Sequence, residues 1–481
     1  MDCTHLPGAC GCADARVRRR PEESTLYKAV AAGLKGFLEQ READGRGVPW
    51  FVRKALQGFL KCGLVEHGFC RLVCDDCRQE EVVAFSCKDR GFCPSCMGRR
   101  MNDTAAHLVD RVLPDVRIRQ WVLSLPIQVR LLCAFKPEAL TAVVRELTRA
   151  VFAYQRRRAR KLGLCNPRCG AVTGIQRFGS AAELNTHLHT LVLDGVYTDG
   201  AVFHPLSPPT PAELARLTRV IAKRVGRALV RLGYGGDDAI RNLAEAEPSV
   251  ASLVAESVAF PEERLIDPDL TRPGQASAQH AHFNLHAWTT VAAGDLAARE
   301  RLCRYILRPP ISDDRLKALS DGKVALTLKT PWRDGTTAIV LTAVQLVARL
   351  AALIPRPGQN LVRYHGVLAA HAQDRAAIVP GGQGSTHQKE TIEDGRLVPP
   401  SLPPLPPKPR KNGRYLQWAL LMVRIFSTDP LRCSCGGRLR LVAMVMAGAG
   451  AERYLRGTGL ATDAQRARSP PTYVLDAGAP A

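Results

Sequence analysis

The chain has 481 residues, with 67 Lys and Arg against 45 Asp and Glu for a net charge of +22, and 16 cysteines. Its length allows two to four domains, each with its own core, so size is no obstacle to an enzyme. The charge favours a polyanionic partner, of which nucleic acid is the commonest. No run approaches the roughly 18 uncharged apolar residues of a membrane span, and no amino-terminal stretch has signal-peptide character, so a cytoplasmic protein without a membrane partner is expected. In that setting cysteines are expected to be metal ligands before disulfides.

Residues 1–25 combine Cys3, Cys10 and Cys12 with an arginine run and no periodicity, and read as a disordered basic arm. A helical pattern begins at Leu26, continues through Phe51 to Leu60 and leads into a cysteine-dense stretch, so that residues 26–105 form a helical and zinc-ribbon DNA-binding module. Residues 106–345 alternate long helical patterns (Ala139 to Leu162, Pro211 to Leu232) with strand-like runs (Gln120 to Leu125, Ala171 to Gln176, His187 to Leu193, Val324 to Leu328, Ala338 to Leu341). That order predicts an α+β domain on a largely antiparallel central sheet flanked by helices. Residues 346–397 read as a helical extension, and 398–411, "VPPSLPPLPPKPRK", as a Pro-rich linker. Residues 412–460 form a small carboxyl-terminal helix and strand region, and 461–481 a disordered tail.

The stretch "CDDCRQEEVVAFSCKDRGFCPSC" holds Cys74-x-x-Cys77 and Cys93-x-x-Cys96. Two such knuckles predict one structural four-thiolate zinc site, each short loop offering two sulfurs to a tetrahedral ion. Cys70 and Cys87 are alternates or core residues, and Arg90, Arg99 and Arg100 would hold phosphates beside the site. Cys433-Ser434-Cys435 is short for a knuckle and has no second pair after it.

In "NTHLHTLVLDGVY", residues two apart in a strand face one way, so His187 and His189 project together while Leu188 enters the opposite layer. Two imidazoles on one face can share an ion, or can be ordinary strand histidines; His280-Ala281-His282 has the same spacing, in a loop context. A two-histidine site with an open coordination face suits phosphoryl transfer and then needs a nucleophile. "GDLAARERLCRYILRPP" predicts a helix capped by Asp295 and stopped by Pro309. Leu302 and Ile306 mark its buried side, and Arg301 and Arg308 flank Tyr305 on another.

Several segments, in order and spacing, resemble the rolling-circle transposases of the insertion-sequence-91 and insertion-sequence-common-region type, within the HUH endonuclease superfamily. They are "VAFSCKDRGFCPSCMGRRM", "GIQRFGSAAELNTHLHTLVLDGVY", "LCRYILRPPIS", "PWRDGTT", "LVRYHGVLAAHAQDRAAIVP" and "CSCGGRLRLVA". The resemblance implies an HUH-type nuclease domain, a catalytic Mg²⁺ or Mn²⁺ on His187 and His189, and Tyr305 as nucleophile. It also implies a third ligand, for which His286 on "FNLHAW" is the candidate, with Gln176 and His204 behind it. Members with two tyrosines carry the other four residues earlier; here that position is Arg301, so the chain resembles the single-tyrosine branch. The implied activity is cleavage and rejoining of single-stranded DNA at element ends through a 5′-phosphotyrosine, by a single-strand endonuclease and strand transferase.

Arg99, Arg100, Arg308 and Arg333 would contact DNA, host replication machinery would extend the freed 3′ end, and further copies of the chain are an open option. A plasmid replication initiator or relaxase would share this chemistry, and a non-catalytic zinc-ribbon DNA-binding protein would share only the fold. Tyr364 is the reserve nucleophile, and no Gly-rich nucleotide loop is present.

Overall fold

The structure, a computed structural model, describes residues 20–235, 238–259, 261, 263–267, 278–380, 418–427, 429–458 and 467–468. Most of the expected amino-terminal arm, the whole 398–411 linker and nearly all of the 461–481 tail lie outside the described residues.

The chain begins with helices α1 (Thr25–Ala43) and α2 (Trp50–Phe59), a hairpin of β1 (Gly68–Cys74) and β2 (Glu80–Ala84), and helix α3 (Pro94–Arg111). Then come β3 (Ile118–Ser124), α4 (Ile127–Phe135), α5 (Pro137–Lys161), β4 (Gly170–Phe178), β5 (Leu184–Leu193), a small pair β6 (Gly195–Tyr197) and β7 (Phe203–Pro205), and α6 (Pro211–Arg231). Helices α7 (Asp238–Ala246) and α8 (Pro248–Val258) lead to β8 (Glu263–Ile266), β9 (Ala278–His280), β10 (Phe283–His286), β11 (Thr290–Val291) and α9 (Leu296–Leu307). Strands β12 (Leu316–Ala318), β13 (Val324–Thr327) and β14 (Thr336–Leu341), helix α10 (Ala343–Leu353), strand β15 (Val362–Gly366) and a short α11 (Arg375–Ile378) follow. The last part holds α12 (Trp418–Phe426), β16 (Leu439–Met446) and α13 (Ala449–Gly457).

The largest sheet has the order β15-β4-β5-β3-β10-β9, with β11 also on β3, and every pairing in it is antiparallel. The strand period sorts its residues into two layers. Leu188, Val192, Ala171 and Ile175 face a core with α5 and α6, whereas Leu191, Leu193 and Val172 face a second core with Leu108 of α3 and Leu302 and Ile306 of α9. The sheet is thus covered by helices on both faces, and β5 lies inside it with partners on either side.

The expected helical extension contributes α10 and then β15, which pairs with β4 from Val362↔Gly174 to Gly366↔Gly170 and forms one edge of this sheet. A separate antiparallel sheet, β12-β13-β14-β8, shares a core with α1, α8 and α10. Gly33 makes the α1–α10 contact: a Cβ there would lie 2.4 Å from the Ala343 carbonyl oxygen.

The carboxyl-terminal strand β16 does not stand apart. It pairs antiparallel with β1, from Gly68↔Met446 to Cys74↔Leu439, so the last part of the chain joins the sheet of the cysteine-rich hairpin. Phe69 of β1 and Tyr454 of α13 pack at 5.3 Å between ring centroids.

Candidate active site and thiolate clusters

Two aligned rows of side chains cross one face of the large sheet. One runs Gln176, His187, Ser124, Asn284 over β4, β5, β3 and β10, and the next runs Gly174, His189, Val122, His286. His187 and His189 therefore project from the same face, with ring centroids 4.8 Å apart.

Helix α9 lies over these rows. Asp295 caps it by accepting from Ala298 N at 2.8 Å, and Leu302 and Ile306 face the core. Gly174 lets it come close, since a Cβ there would be 3.2 Å from the Ile306 carbonyl oxygen. Gln176 Nε2 donates to the Tyr305 carbonyl at 2.9 Å, fixing the turn that carries the phenol. The Tyr305 ring stands edge-on to His189 with centroids 5.6 Å apart, and its side chain is exposed. The residues separated by 116 positions in the chain thus meet at one place.

The imidazole hydrogen bonds bear on metal binding. His187 Nδ1 lies 2.8 Å from the Asn185 carbonyl, which can only accept, so Nδ1 carries the proton and Nε2 keeps a lone pair. His189 Nδ1 lies 2.6 Å from Gln120 Nε2, and the His189 Nε2 is buried with no hydrogen-bond partner. In this orientation the amide nitrogen donates to Nδ1 and leaves the ring proton on Nε2; turning the Gln120 amide over, which exchanges its oxygen and nitrogen, makes Nδ1 the donor and leaves the lone pair on Nε2. Burial pushes His187 down to about 4 against the opposing Asn185 bond, with Arg308 and Arg130 lowering it further. Burial holds His189 well below the ordinary range too, followed by His187, Arg308 and Lys329. Both rings are neutral at pH 7, the form that ligates metal. The buried Gln176 Oε1 is likewise without a partner.

His286 does not join them. It shares their face, but β3 intervenes with Val122 between, two strand spacings or roughly 10 Å from His189. Among the described residues no histidine or carboxylate completes a three-ligand group with His187 and His189. His204 is held elsewhere, its Nε2 3.0 Å from Thr198 Oγ1 in the β6–β7 pair. Tyr364 packs, half-buried, against the cluster beneath α9.

Cations gather at Tyr305. The Arg308 guanidinium carbon is 5.4 Å from the Tyr305 ring centroid and 5.0 Å from that of Phe178. Lys329 Nζ is 4.5 Å from the Tyr305 ring centroid. Partial burial, then Arg308 and Arg315, push the Lys329 ammonium down to about 8. Lys329 and Gln120 escaped the sequence reading; Gln120 is a polar residue within an apolar strand, which is a usable signal, whereas Lys329 reaches the site only through the β13–β14 fold. Arg301 is exposed one turn before Tyr305, and Arg333 is exposed in the turn before β14.

The expected single zinc site is corrected. Cys74 and Cys77 do not meet Cys93 and Cys96; the sulfurs of Cys62, Cys87, Cys93 and Cys96 form one cluster, and those of Cys74, Cys77, Cys433 and Cys435 another. The cause is the β1–β2 hairpin. Cys74 and Cys77 occupy its tip, and the five residues of β2 carry the chain back about 17 Å before Cys87 is reached. In the first cluster Cys62–Cys96, Cys87–Cys96 and Cys93–Cys62 sulfurs are 3.7, 3.4 and 3.6 Å apart. A tetrahedral zinc with Zn–S near 2.3 Å needs sulfur edges of about 3.8 Å, so the set fits the ion. Hydrogen bonds from Cys62, Cys87 and Cys93 hold the Cys96 thiol far below its ordinary value. Arg99 is exposed on the first turns of α3 beyond Cys96, and Arg100 Nη2 donates to the Lys88 carbonyl at 3.4 Å.

Residues 170–376 match the family model described as "Putative transposase", and residues 34–125 match the "Transposase zinc-binding domain" of the insertion-sequence-91 type. The chain belongs to the insertion-sequence-91-like transposases. The first match contains His187, His189 and Tyr305, and the second contains all four ligands of the first thiolate cluster, so the transposase is a zinc-binding, DNA-processing protein. No curated protein and no solved structure gives a significant match. Among the described residues no helix is long and apolar enough to cross a membrane.

Proposed function

We propose that this transposase cuts and rejoins single-stranded DNA at the ends of its element by transesterification in an HUH-type site, with Tyr305 as nucleophile. The supporting observation is the placement of the Tyr305 ring 5.6 Å from that of His189, itself paired with His187. The two Nε2 atoms, that of His189 with the Gln120 amide turned to accept from Nδ1, and Gln176 Oε1 from the neighbouring strand in place of His286, would hold Mg²⁺ or Mn²⁺. Such an ion, when bound, polarises a non-bridging phosphate oxygen.

Tyr305 Oη attacks the phosphorus in line, the bond from phosphorus to the 3′-oxygen breaks, and the products are a 5′-phosphotyrosine and a free 3′-hydroxyl. Attack on that phosphotyrosine by another 3′-hydroxyl reverses the exchange and releases the phenol, with no nucleotide required. Arg308 and Lys329 supply positive charge where the phosphate sits. Lys329, near 8, also exchanges protons close to neutrality and suits the removal and return of the phenolic proton. The freed 3′ end would be extended by host replication, and Arg99, Arg100 and Arg333 would hold the backbone farther along.

The test is incubation of the full chain with single-stranded oligonucleotides of the element's ends and Mn²⁺. A covalent adduct mapped to the Tyr305 peptide and lost in Tyr305→Phe is expected. An adduct mapped to Tyr364, an undiminished adduct in Tyr305→Phe, or no adduct at all overturns the assignment, the last leaving a DNA-binding role without this chemistry.

A further inference from the structure

We propose that Cys74, Cys77, Cys433 and Cys435 bind a second, structural Zn²⁺, which clasps the carboxyl-terminal unit to the amino-terminal hairpin. The zinc-binding family match ends at residue 125 and so contains only half of this ligand set. The other half arrives from more than 350 positions away, the Cys74–Cys435 and Cys77–Cys433 pairs being separated by 361 and 356 residues.

The geometry is that of a metal site. Cys74–Cys435 and Cys77–Cys433 sulfurs are both 3.6 Å apart, and all four ligand atoms lie within 4.8 Å of one another. These separations match the edges of about 3.8 Å required by four thiolates around zinc. They are far longer than the ~2 Å of a disulfide.

One residue between Cys433 and Cys435 is short for a knuckle, and the turn that follows supplies what the spacing lacks. Gly436 adopts φ +91°, and Gly437 passes so close that a Cβ would lie 2.2 Å from Asp76 Oδ2 and 2.9 Å from Cys74 Sγ. Cys433 N donates to the Gly437 carbonyl at 2.8 Å, and Gly437 N donates to Cys435 Sγ at 3.4 Å, as backbone amides do around metal-bound thiolates. Strand pairing brings the two halves into register, with Cys74 opposite Leu439 and Asp75 N donating to the Arg438 carbonyl at 3.2 Å. Cys74 and Cys433 are buried, whereas Cys77 and Cys435 lie at the rim. Four protein ligands leave no position for water, which makes the role structural.

Besides the thiolates, β16 and α13 are held by the β1–β16 ladder, by Arg440 to Asp75 and Tyr454 to Glu80, and by two small apolar clusters around Phe69, Ala451 and Leu455 and around Leu72 and Leu439, while Arg424 of α12 pairs with Asp110 and Glu300. The metal would reinforce these contacts at the hairpin tip, where the ladder ends at Cys74 and Leu439.

Metal analysis of the full chain, purified without oxidation, tests this. The expected content is two zinc per chain, falling to one in Cys433→Ser/Cys435→Ser and to one in Cys87→Ser, and staying at two in Cys435→His, which keeps a ligand. With a protease site introduced between residues 398 and 411, the cut carboxyl-terminal fragment should stay with the rest to a higher urea concentration in the wild type than in Cys433→Ser/Cys435→Ser. A single zinc in the wild type, two zinc in the double serine variant, a mass deficit showing a disulfide among these four cysteines, or release of the fragment at the same urea concentration in the wild type and the double variant overturns the proposal. None of these readouts depends on DNA cleavage.

Discussion

Replacing Gly174 should slow the chemistry without touching any reacting group. Gly174 sits beside His189 in the sheet, and a Cβ at this position would lie 3.2 Å from the Ile306 carbonyl oxygen and 3.3 Å from Ile306 Cδ1. Both are shorter than ordinary contact, so Gly174→Ala must push α9 outward by a few tenths of an ångström, and Gly174→Val, with two further methyls, by more. Tyr305 precedes Ile306 and is held to the sheet by Gln176 Nε2 at 2.9 Å, so the phenol moves with the helix. A misplacement of about 1 Å costs on the order of 100-fold in rate. A shift of a few tenths then predicts a roughly threefold to tenfold slower adduct in Gly174→Ala and up to about 100-fold in Gly174→Val. The overpacking itself should cost about 1–3 kcal/mol of stability. Single-turnover adduct formation, run well below the unfolding temperature of each variant, separates the two effects. Wild-type adduct rates in Gly174→Val would refute the claim that the close α9–β4 approach sets the Tyr305 position.

Gln120→Leu removes the partner of His189 Nδ1, so the Mn²⁺ concentration giving half-maximal adduct should rise about 10- to 100-fold while the plateau changes less. Arg119 is buried, with Nε and Nη2 donating to the two Asp194 carboxylate oxygens at 3.1 and 2.9 Å and Nη1 to the Ala287 carbonyl at 2.9 Å. Arg119→Met strands that carboxylate, although Arg117 at 2.8 Å still faces it, and should cost about 3 kcal/mol in denaturant unfolding. His365 is half-buried beside Thr173 Oγ1 at 3.0 Å, and desolvation, then Arg363, push it down to about 4. Because the unfolded imidazole takes its proton first, near 6.5, the stabilisation is present above that pH and is lost as pH falls towards 4. The wild type should therefore lose about 2 kcal/mol more than His365→Gln between pH 7 and 4.5, and parallel pH profiles would remove His365 from the account.

What the chain discloses locally and what it withholds divide along a physical line. The period of a strand placed His187 and His189 on one face and Leu188 on the other, and Asp295 and Pro309 marked the ends of the helix that carries Tyr305. These are short-range rules, and the structure follows them. Strand order is not short-range. His286 has the right face and the right residue type, yet β3 separates it from β5, a fact that nothing in "FNLHAW" encodes. Gln176, one strand away and directly opposite His187, gains its place from the same pairing. The cysteines make the same point more sharply. Each Cys-x-x-Cys is legible as a knuckle because two sulfurs on one tight turn must converge, but which knuckles share an ion depends on the hairpin between them. Seven residues of β1 and five of β2 hold the tip cysteines apart from Cys93 and Cys96, and leave each pair to find partners from elsewhere in the chain. Spacing thus specifies half-sites; the fold chooses how they combine, and here the choice places a cysteine cluster where β16 meets the tip of the β1–β2 hairpin.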